Sequence, residues 1–208
     1  MYYGNAFEIF EECVFDIDAW VQYARSLGYT EIVLQAHSFG PSKITYYISQ
    51  KPAQDIHALI FISPVDMLGT TLAKNNHREM LLEAEDSVKK GTQKNLLSRR
   101  LGGQLYISGQ TYISLFGEHS KTNIFCYTKR EHDWSDIRNI KIPVLALGGT
   151  KDEPIECLAK TEDAFSILKK ELVHSPRFGS KIYQGAAHSF KGFDKEILRD
   201  VLEFLKNS

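Results

Sequence analysis

The chain has 208 residues, a formal net charge of -1 and 43% hydrophobic residues, which is typical of one globular domain with a substantial core. The balance of 25 basic against 26 acidic residues argues against a nucleic-acid-binding protein, which would carry an excess of Lys and Arg. No run approaches the about 18 apolar residues of a membrane span, and the start MYYGNAFEIFEE lacks the basic and apolar regions of a secretory signal.

The first third of the chain predicts helices and buried strands in alternation. Apolar residues spaced three and four apart predict a helix over residues 7–27, and Gly28 stands where its C-terminal cap would lie. The apolar run EIVLQ, residues 31–35, predicts a strand buried on both faces. The stretch PSKITYYISQ predicts the next helix, residues 41–50, and ALIFIS predicts a second buried strand, residues 58–63.

Residues 67–139 are richer in charge and glycine, and they lack the strand pattern of the flanking segments. A helix is predicted over 78–90, and we interpret the whole segment as a helical lid inserted into an α/β core formed by 1–66 and 140–208. The basic run SVKKGTQKNLLSRR, residues 87–100, is either a solvated face or an attractor of an anionic substrate. Aromatic residues of this segment either line an acyl pocket or pack within the lid: Tyr106, Tyr112, Phe116, Phe125 and Tyr127.

The buried-strand pattern returns in the last third of the chain. IPVLALGG predicts a strand over 142–149, a helix follows over 155–172, and KIYQG predicts a strand over 181–185. The final helix, residues 194–206, carries its apolar residues on one face. Four apolar strands alternating with helices predict an α/β fold with a mostly parallel sheet covered on both faces. In such sheets the chemistry is usually placed on the loops at the carboxyl ends of the strands.

The stretch AHSFG, residues 36–40, places Ser38 between a predicted strand and a predicted helix. Small residues at Ala36 and Gly40 allow a sharp turn that lifts the serine oxygen clear of the sheet. The following helix directs its N-terminus at this point, which favours developing negative charge. The stretch resembles the G-x-S-x-G nucleophile elbow of the α/β-hydrolase superfamily, with Ala36 in place of the first glycine.

The chain order of the superfamily's catalytic residues, serine then acid then histidine, also occurs here. Asp152 follows a predicted strand in LALGGTKDEP, and His188 follows the next strand in YQGAAHSFKG. The resemblance implies that Ser38 is the nucleophile, that His188 is the general base and acid, and that Asp152 orients the imidazole. It also implies that the N–H of Phe39 is one donor of the oxyanion hole.

Other assignments of these residues stay open on sequence alone. Asp66, after IFISPV, is the alternative acid, and Glu153 is a weaker third candidate. Asp152 would also suit a helix N-cap, and His188 would also suit an ordinary surface position. We expect His37 to have a packing role, because adjacent residues on a sharp turn point apart.

No pattern in the sequence predicts a metal or an organic cofactor. His119, His132 and Asp133 have no spacing typical of a metal site. The cysteines are far apart, odd in number and without C-x-x-C spacing: Cys13, Cys126 and Cys157. Free or buried thiols are the expected state, and they favour a cytoplasmic protein.

The resemblance covers nearly the whole chain, but it corresponds to the later part of the superfamily fold. Members have about four strands before the helix that precedes the elbow, and a loop in that region donates the second oxyanion N–H. We therefore expect the family's N-terminal strands to be absent and the strand at 31–35 to form an exposed sheet edge, open to self-association. Three explanations compete: a shortened gene product, a fold completed by a partner or a swapped dimer, and a minimal natural variant.

The expected function is hydrolysis of a small-molecule carboxylic ester, thioester or small amide through an acyl-enzyme on Ser38. An alternative is a hydrolase-like binding protein with weak or no turnover, because loss of one oxyanion donor typically costs about 10²–10³ in rate. Acyl transfer by the same three residues is a further alternative. The lid segment would determine the substrate, whose identity does not follow from residue types.

Overall fold

The core of the molecule is a parallel β-sheet. A computed structural model describes residues 6–51, 55–74, 76–128 and 130–206, and within these residues the sheet has four strands in the order β1-β2-β3-β4, each pair parallel. The strands are β1 (Ile32–His37), β2 (Ile56–Ile62), β3 (Val144–Lys151) and β4 (Phe178–Ala187). The predicted α/β fold with a parallel sheet is confirmed.

Helices connect the strands and cover both faces of the sheet. In chain order they are α1 (Cys13–Ser26), α2 (Gly40–Gln50), α3 (Met67–Leu72), α4 (His77–Lys89), α5 (Gly109–Phe116), α6 (Ser135–Arg138), α7 (Glu153–Glu156), α8 (Thr161–Glu171) and α9 (Asp194–Lys206). A 3-10 turn, Phe10–Glu12, leads into α1. No helix of the described residues is long and apolar enough to cross a bilayer.

The two faces of β2 pack into separate apolar clusters. Leu59 and Phe61 belong to the larger cluster, which includes side chains of α1, α2 and α8. Ala58 and Ile60 belong to the cluster that contains Val201 of α9. Successive strand residues point to opposite faces, so a strand covered on both sides needs the continuous apolar run from which it was predicted.

One predicted helix, residues 155–172, is two helices in the structure. The chain leaves the helical conformation at Lys160, which has an extended backbone (φ -60°, ψ 144°). The N–H and hydroxyl of Thr161 both donate to Oε1 of Glu156, at 2.8 and 2.7 Å. The Thr161 hydroxyl also lies 2.8 Å from the carbonyl oxygen of Gly149. These hydrogen bonds hold the residues between α7 and α8 against the end of β3.

The segment between β2 and β3 contains α3 to α6 joined by long irregular stretches. Its apolar side chains form a third cluster, which includes Met80 and Tyr112 and also Phe10 from the 3-10 turn before α1. The described residues add only isolated bridges there, Leu96–Ser108 and Leu101–Leu105, outside the sheet. The interpretation of residues 67–139 as a lid stays a prediction.

Candidate active site

Ser38 occupies the turn between β1 and α2 in a left-handed backbone conformation, with φ of 64°. Its N–H donates to the carbonyl oxygen of Ile62 (2.9 Å), and its own carbonyl accepts from the N–H of Val65 (3.3 Å). A Cβ at Gly40 would lie 2.8 Å from the Cβ of Ala36. The turn therefore requires small residues on both sides of the serine, as the sequence pattern indicated.

Three of the residues predicted from sequence lie in one continuous chain of contacts. Oγ of Ser38 lies 2.8 Å from Nε2 of His188, and Nδ1 of His188 lies 2.9 Å from Oδ1 of Asp152. Because a carboxylate can only accept, Nδ1 carries the proton and Nε2 is free to accept the serine hydroxyl hydrogen. The parallel sheet brings these side chains together from loops that follow β1, β3 and β4.

Asp152 stands at the start of α7, yet its side chain makes no capping hydrogen bond. The carboxylate is fully buried and is directed at His188 instead. Within the described part of the chain its second oxygen, Oδ2, has no hydrogen-bond partner. Asp152 therefore occupies the N-cap position of α7, but its side chain does not cap the helix.

The loop that carries His188 approaches β3 closely at Gly149. A Cβ at this position would lie 2.1 Å from the carbonyl oxygen of Ala186, so a side chain would displace the end of β4. His37 fixes the same loop from the other side, since its Nε2–H donates to the carbonyl oxygen of His188 at 2.7 Å. The expected packing role of His37 therefore includes a specific hydrogen bond.

The alternative acid Asp66 lies in a different set of contacts. Its buried carboxylate accepts from the N–H groups of Gly69 (2.7 Å) and Tyr127 (3.0 Å) and from the guanidinium of Arg130 (2.8 and 3.1 Å). Among the described residues no hydrogen bond joins Asp66 to His188. The third candidate, Glu153, accepts the backbone N–H of His188 at 3.5 Å and does not bond its ring.

Ser63, which follows the last residue of β2, contacts His188 although no sequence pattern predicts a role for it. Its Oγ lies 3.2 Å from Nδ1 of His188, and the residue is fully buried. The one sequence feature that could have indicated a role for Ser63 is its position at the carboxyl end of β2, which lies between β1 and β3.

The predicted oxyanion donor, Phe39, stands at the N-cap position of α2. None of the hydrogen bonds within residues 6–51, 55–74, 76–128 and 130–206 uses its N–H. A backbone donor at a helix N-terminus is suited to a developing negative charge.

A cavity of about 440 Å³ opens beside Ser38. Its walls combine residues that follow β2 and β3 with residues of the 67–139 segment, and apolar side chains are prominent among them: Val65, Met67, Leu101, Leu105 and Pro154. Polar groups also face it, including Lys74 and Glu153. None of the five aromatic residues named above is among the residues that line this cavity in the described chain; four of them are buried within the apolar clusters.

Comparisons with known proteins identify a family and a fold. A family model described as "Protein of unknown function (DUF1749)" matches residues 5–206, and no curated protein matches the sequence. A monoacylglycerol lipase from Paleococcus ferrophilus superposes with a TM-score of 0.63 at 21% identity, covering 97% of this chain and 77% of its own. Est1E from Butyrivibrio proteoclasticus gives 0.61 at 19% identity, with 99% and 72% covered. A bromoperoxidase from Bacillus anthracis gives 0.54 at 15% identity, with 96% and 76% covered. These likenesses confirm the α/β-hydrolase fold.

Proposed function

The chain belongs to the DUF1749 family of proteins of unknown function, and within its α/β-hydrolase fold we propose that it is a serine hydrolase of carboxylic esters, thioesters or small amides. The observation that carries the proposal is the contact chain from Asp152 through His188 to Ser38. The fold alone does not select a reaction, because its neighbours include both a monoacylglycerol lipase and a bromoperoxidase.

In the proposed reaction Ser38 Oγ attacks the carbonyl carbon while Nε2 of His188 takes the hydroxyl proton. Buried Asp152 stabilises the imidazolium that forms and holds the tautomer with the proton on Nδ1. His188 then returns the proton to the leaving group, which departs and leaves an acyl ester on Ser38. A water molecule, deprotonated by His188, hydrolyses this ester and regenerates the serine.

The N–H of Phe39 is proposed to donate to the oxyanion of the tetrahedral intermediate. The N-terminus of α2 adds a favourable dipole at the same point. Among the described residues, the hydrogen bonds identify no second oxyanion donor.

The cavity beside Ser38 supports a small acyl substrate. Its apolar wall, including Leu101 and Leu105 from the 67–139 segment, would bury an aliphatic or aromatic group through the hydrophobic effect. The lid role of this segment belongs to the same proposal, because the segment supplies part of the cavity wall.

Labelling with a fluorophosphonate probe tests the assignment of the nucleophile. We expect intact-mass spectrometry to find one adduct on the wild-type protein and none on Ser38→Ala. The matched control is Ser189→Ala, which removes an exposed serine next to His188 and should be labelled like the wild type. Hydrolysis of short p-nitrophenyl esters should fall at least about 10³-fold in Ser38→Ala.

Labelling that persists in Ser38→Ala would place the nucleophile elsewhere and contradict the proposal. A wild-type protein that melts cooperatively and is stabilised by an ester analogue, yet is neither labelled nor active, would instead support the hydrolase-like binding protein. Products formed with a competing alcohol would distinguish acyl transfer from hydrolysis.

A further inference from the structure

Ser63 adopts a backbone conformation that serine rarely adopts. Its φ is 53°, and within the described residues the non-glycine positions with positive φ are Ser38, Ser63 and Phe190. Glycine enters this region without the steric cost that a Cβ introduces. The first two of these residues contact the imidazole of His188, and Phe190 follows His188 by two positions. Strain of this kind is typical of functional sites.

The backbone of Ser63 is held by its pairing with β3. The residue is fully buried, and its N–H donates to the carbonyl oxygen of Leu147 in β3 at 2.7 Å. Its Oγ therefore faces Nδ1 of His188 at 3.2 Å from a position that the strand pairing determines. Asp152 Oδ1 faces the same nitrogen at 2.9 Å.

We propose that Ser63 is a positioning residue: its hydroxyl oxygen is a second acceptor for the Nδ1–H of His188, beside Asp152, and restrains the imidazole in the orientation that Ser38 requires. The inference rests on the proposed serine-hydrolase function and assigns a further residue to the same site. Ser63 makes no bond to substrate and exchanges no proton. It acts by limiting the rotation of the ring and by facing the imidazolium N–H after proton transfer.

Replacement by glycine separates this role from a packing role. Ser63→Gly removes the hydroxyl and also relieves the strain at positive φ, so the variant should melt at or above the wild-type temperature. Ser63→Ala removes the hydroxyl and keeps the strain. If the side chain only filled space, the glycine variant would lose no activity beyond its effect on stability.

The experiment measures kcat, KM, the pH–rate profile and the melting temperature of both variants with p-nitrophenyl acetate. We expect kcat to fall about 3- to 20-fold with KM unchanged, as for loss of one hydrogen bond to a group that becomes charged. The acidic limb of the profile should move to lower pH, because the imidazolium loses an acceptor. The control is Ser42→Ala in α2, a buried serine whose Oγ has no hydrogen-bond partner in the described chain.

A spectroscopic readout keeps this test independent of turnover. The low-field proton resonance of the His188 Nδ1–H should shift between the wild type and Ser63→Gly, and it should not shift in Ser42→Ala. A wild-type protein that no fluorophosphonate labels would refute the proposed function, while the resonance would still report the Ser63 contact. Wild-type kcat, pH profile and resonance position in Ser63→Gly would overturn the inference.

Discussion

Asp66 and Asp152 are both buried carboxylates that follow neighbouring parallel strands. Within the described residues, the carboxylate of Asp152 makes one hydrogen bond, to the imidazole of His188, whereas that of Asp66 accepts from two backbone N–H groups and a guanidinium. A carboxylate so enclosed stabilises the chain around it, and one that faces an imidazole can bias that ring's protonation. Under the proposed function, these contacts favour a structural role for Asp66 and a role for Asp152 in orienting His188.

Parallel Asn substitutions test this division. Asp152→Asn should leave the melting temperature nearly unchanged and lower kcat by about 10³–10⁴-fold, since an amide favours the wrong imidazole tautomer. Asp66→Asn removes the carboxylate that pairs with Arg130 and should cost about 3 kcal/mol of unfolding free energy. Below its melting temperature that variant should keep wild-type kcat. Urea denaturation and ester hydrolysis check both, and the reverse pattern would identify Asp66 as the acid.

Sequence alone left the choice between these aspartates open for a physical reason. Each follows a buried strand, and each therefore lies at the edge where active sites form. The feature that distinguishes them is Arg130, which is distant in sequence from Asp66 and adjacent only in the folded chain. The conformation of Ser63 was equally inaccessible, because its positive φ depends on pairing with β3.

Local sequence patterns predicted most helices and strands of the α/β core. The bounds that differ from the prediction depend on contacts between residues distant in sequence. The bounds of α9, Asp194–Lys206, match the predicted helix, because apolar residues recur at helical spacing along it. The break between α7 and α8 was not predicted, since it depends on the contact of Thr161 with Gly149 at the end of β3. The strand β4 extends beyond the predicted 181–185 on both sides, where pairing with β3 continues.

The close approach of β3 and β4 at Gly149 predicts that a side chain there lowers both stability and activity. In Gly149→Ala the new Cβ would meet the carbonyl of Ala186, a backbone group that yields only if the strands separate. We expect a loss of about 1–3 kcal/mol in unfolding free energy. Because His188 lies two residues beyond Ala186, kcat should also fall, by up to about 10²-fold. Thermal melts and ester hydrolysis measure the two effects.

A surface glycine provides the matched control for this variant. Gly91 has φ of 70° and open space where a Cβ would be placed, so Gly91→Ala should cost about 1 kcal/mol through backbone strain alone. Its kcat should equal that of the wild type. If Gly149→Ala kept full kcat, the strand contact would not position the His188 loop.

Within the described residues, β1 is an edge strand of the sheet and pairs only with β2. The N–H of Ser38 points to β2, and strand alternation gives the same direction to Ala36 and the opposite direction to Gln35. The free edge is continuous with an apolar groove that includes Leu198 of α9, which is 60% exposed. An unpaired edge beside exposed apolar surface favours strand addition.

Self-association through this edge is the corresponding prediction. Gln35→Pro removes an outward N–H and leaves the β1–β2 hydrogen bonds in place, since proline is tolerated on edge strands. We expect the wild type to associate with rising concentration in sedimentation velocity, and we expect Gln35→Pro to remain monomeric. Gln35→Ala keeps the N–H and should associate like the wild type. Equal association of all three would place the contact on another surface, and a monomeric wild type at every concentration would show that the edge is protected without a second copy.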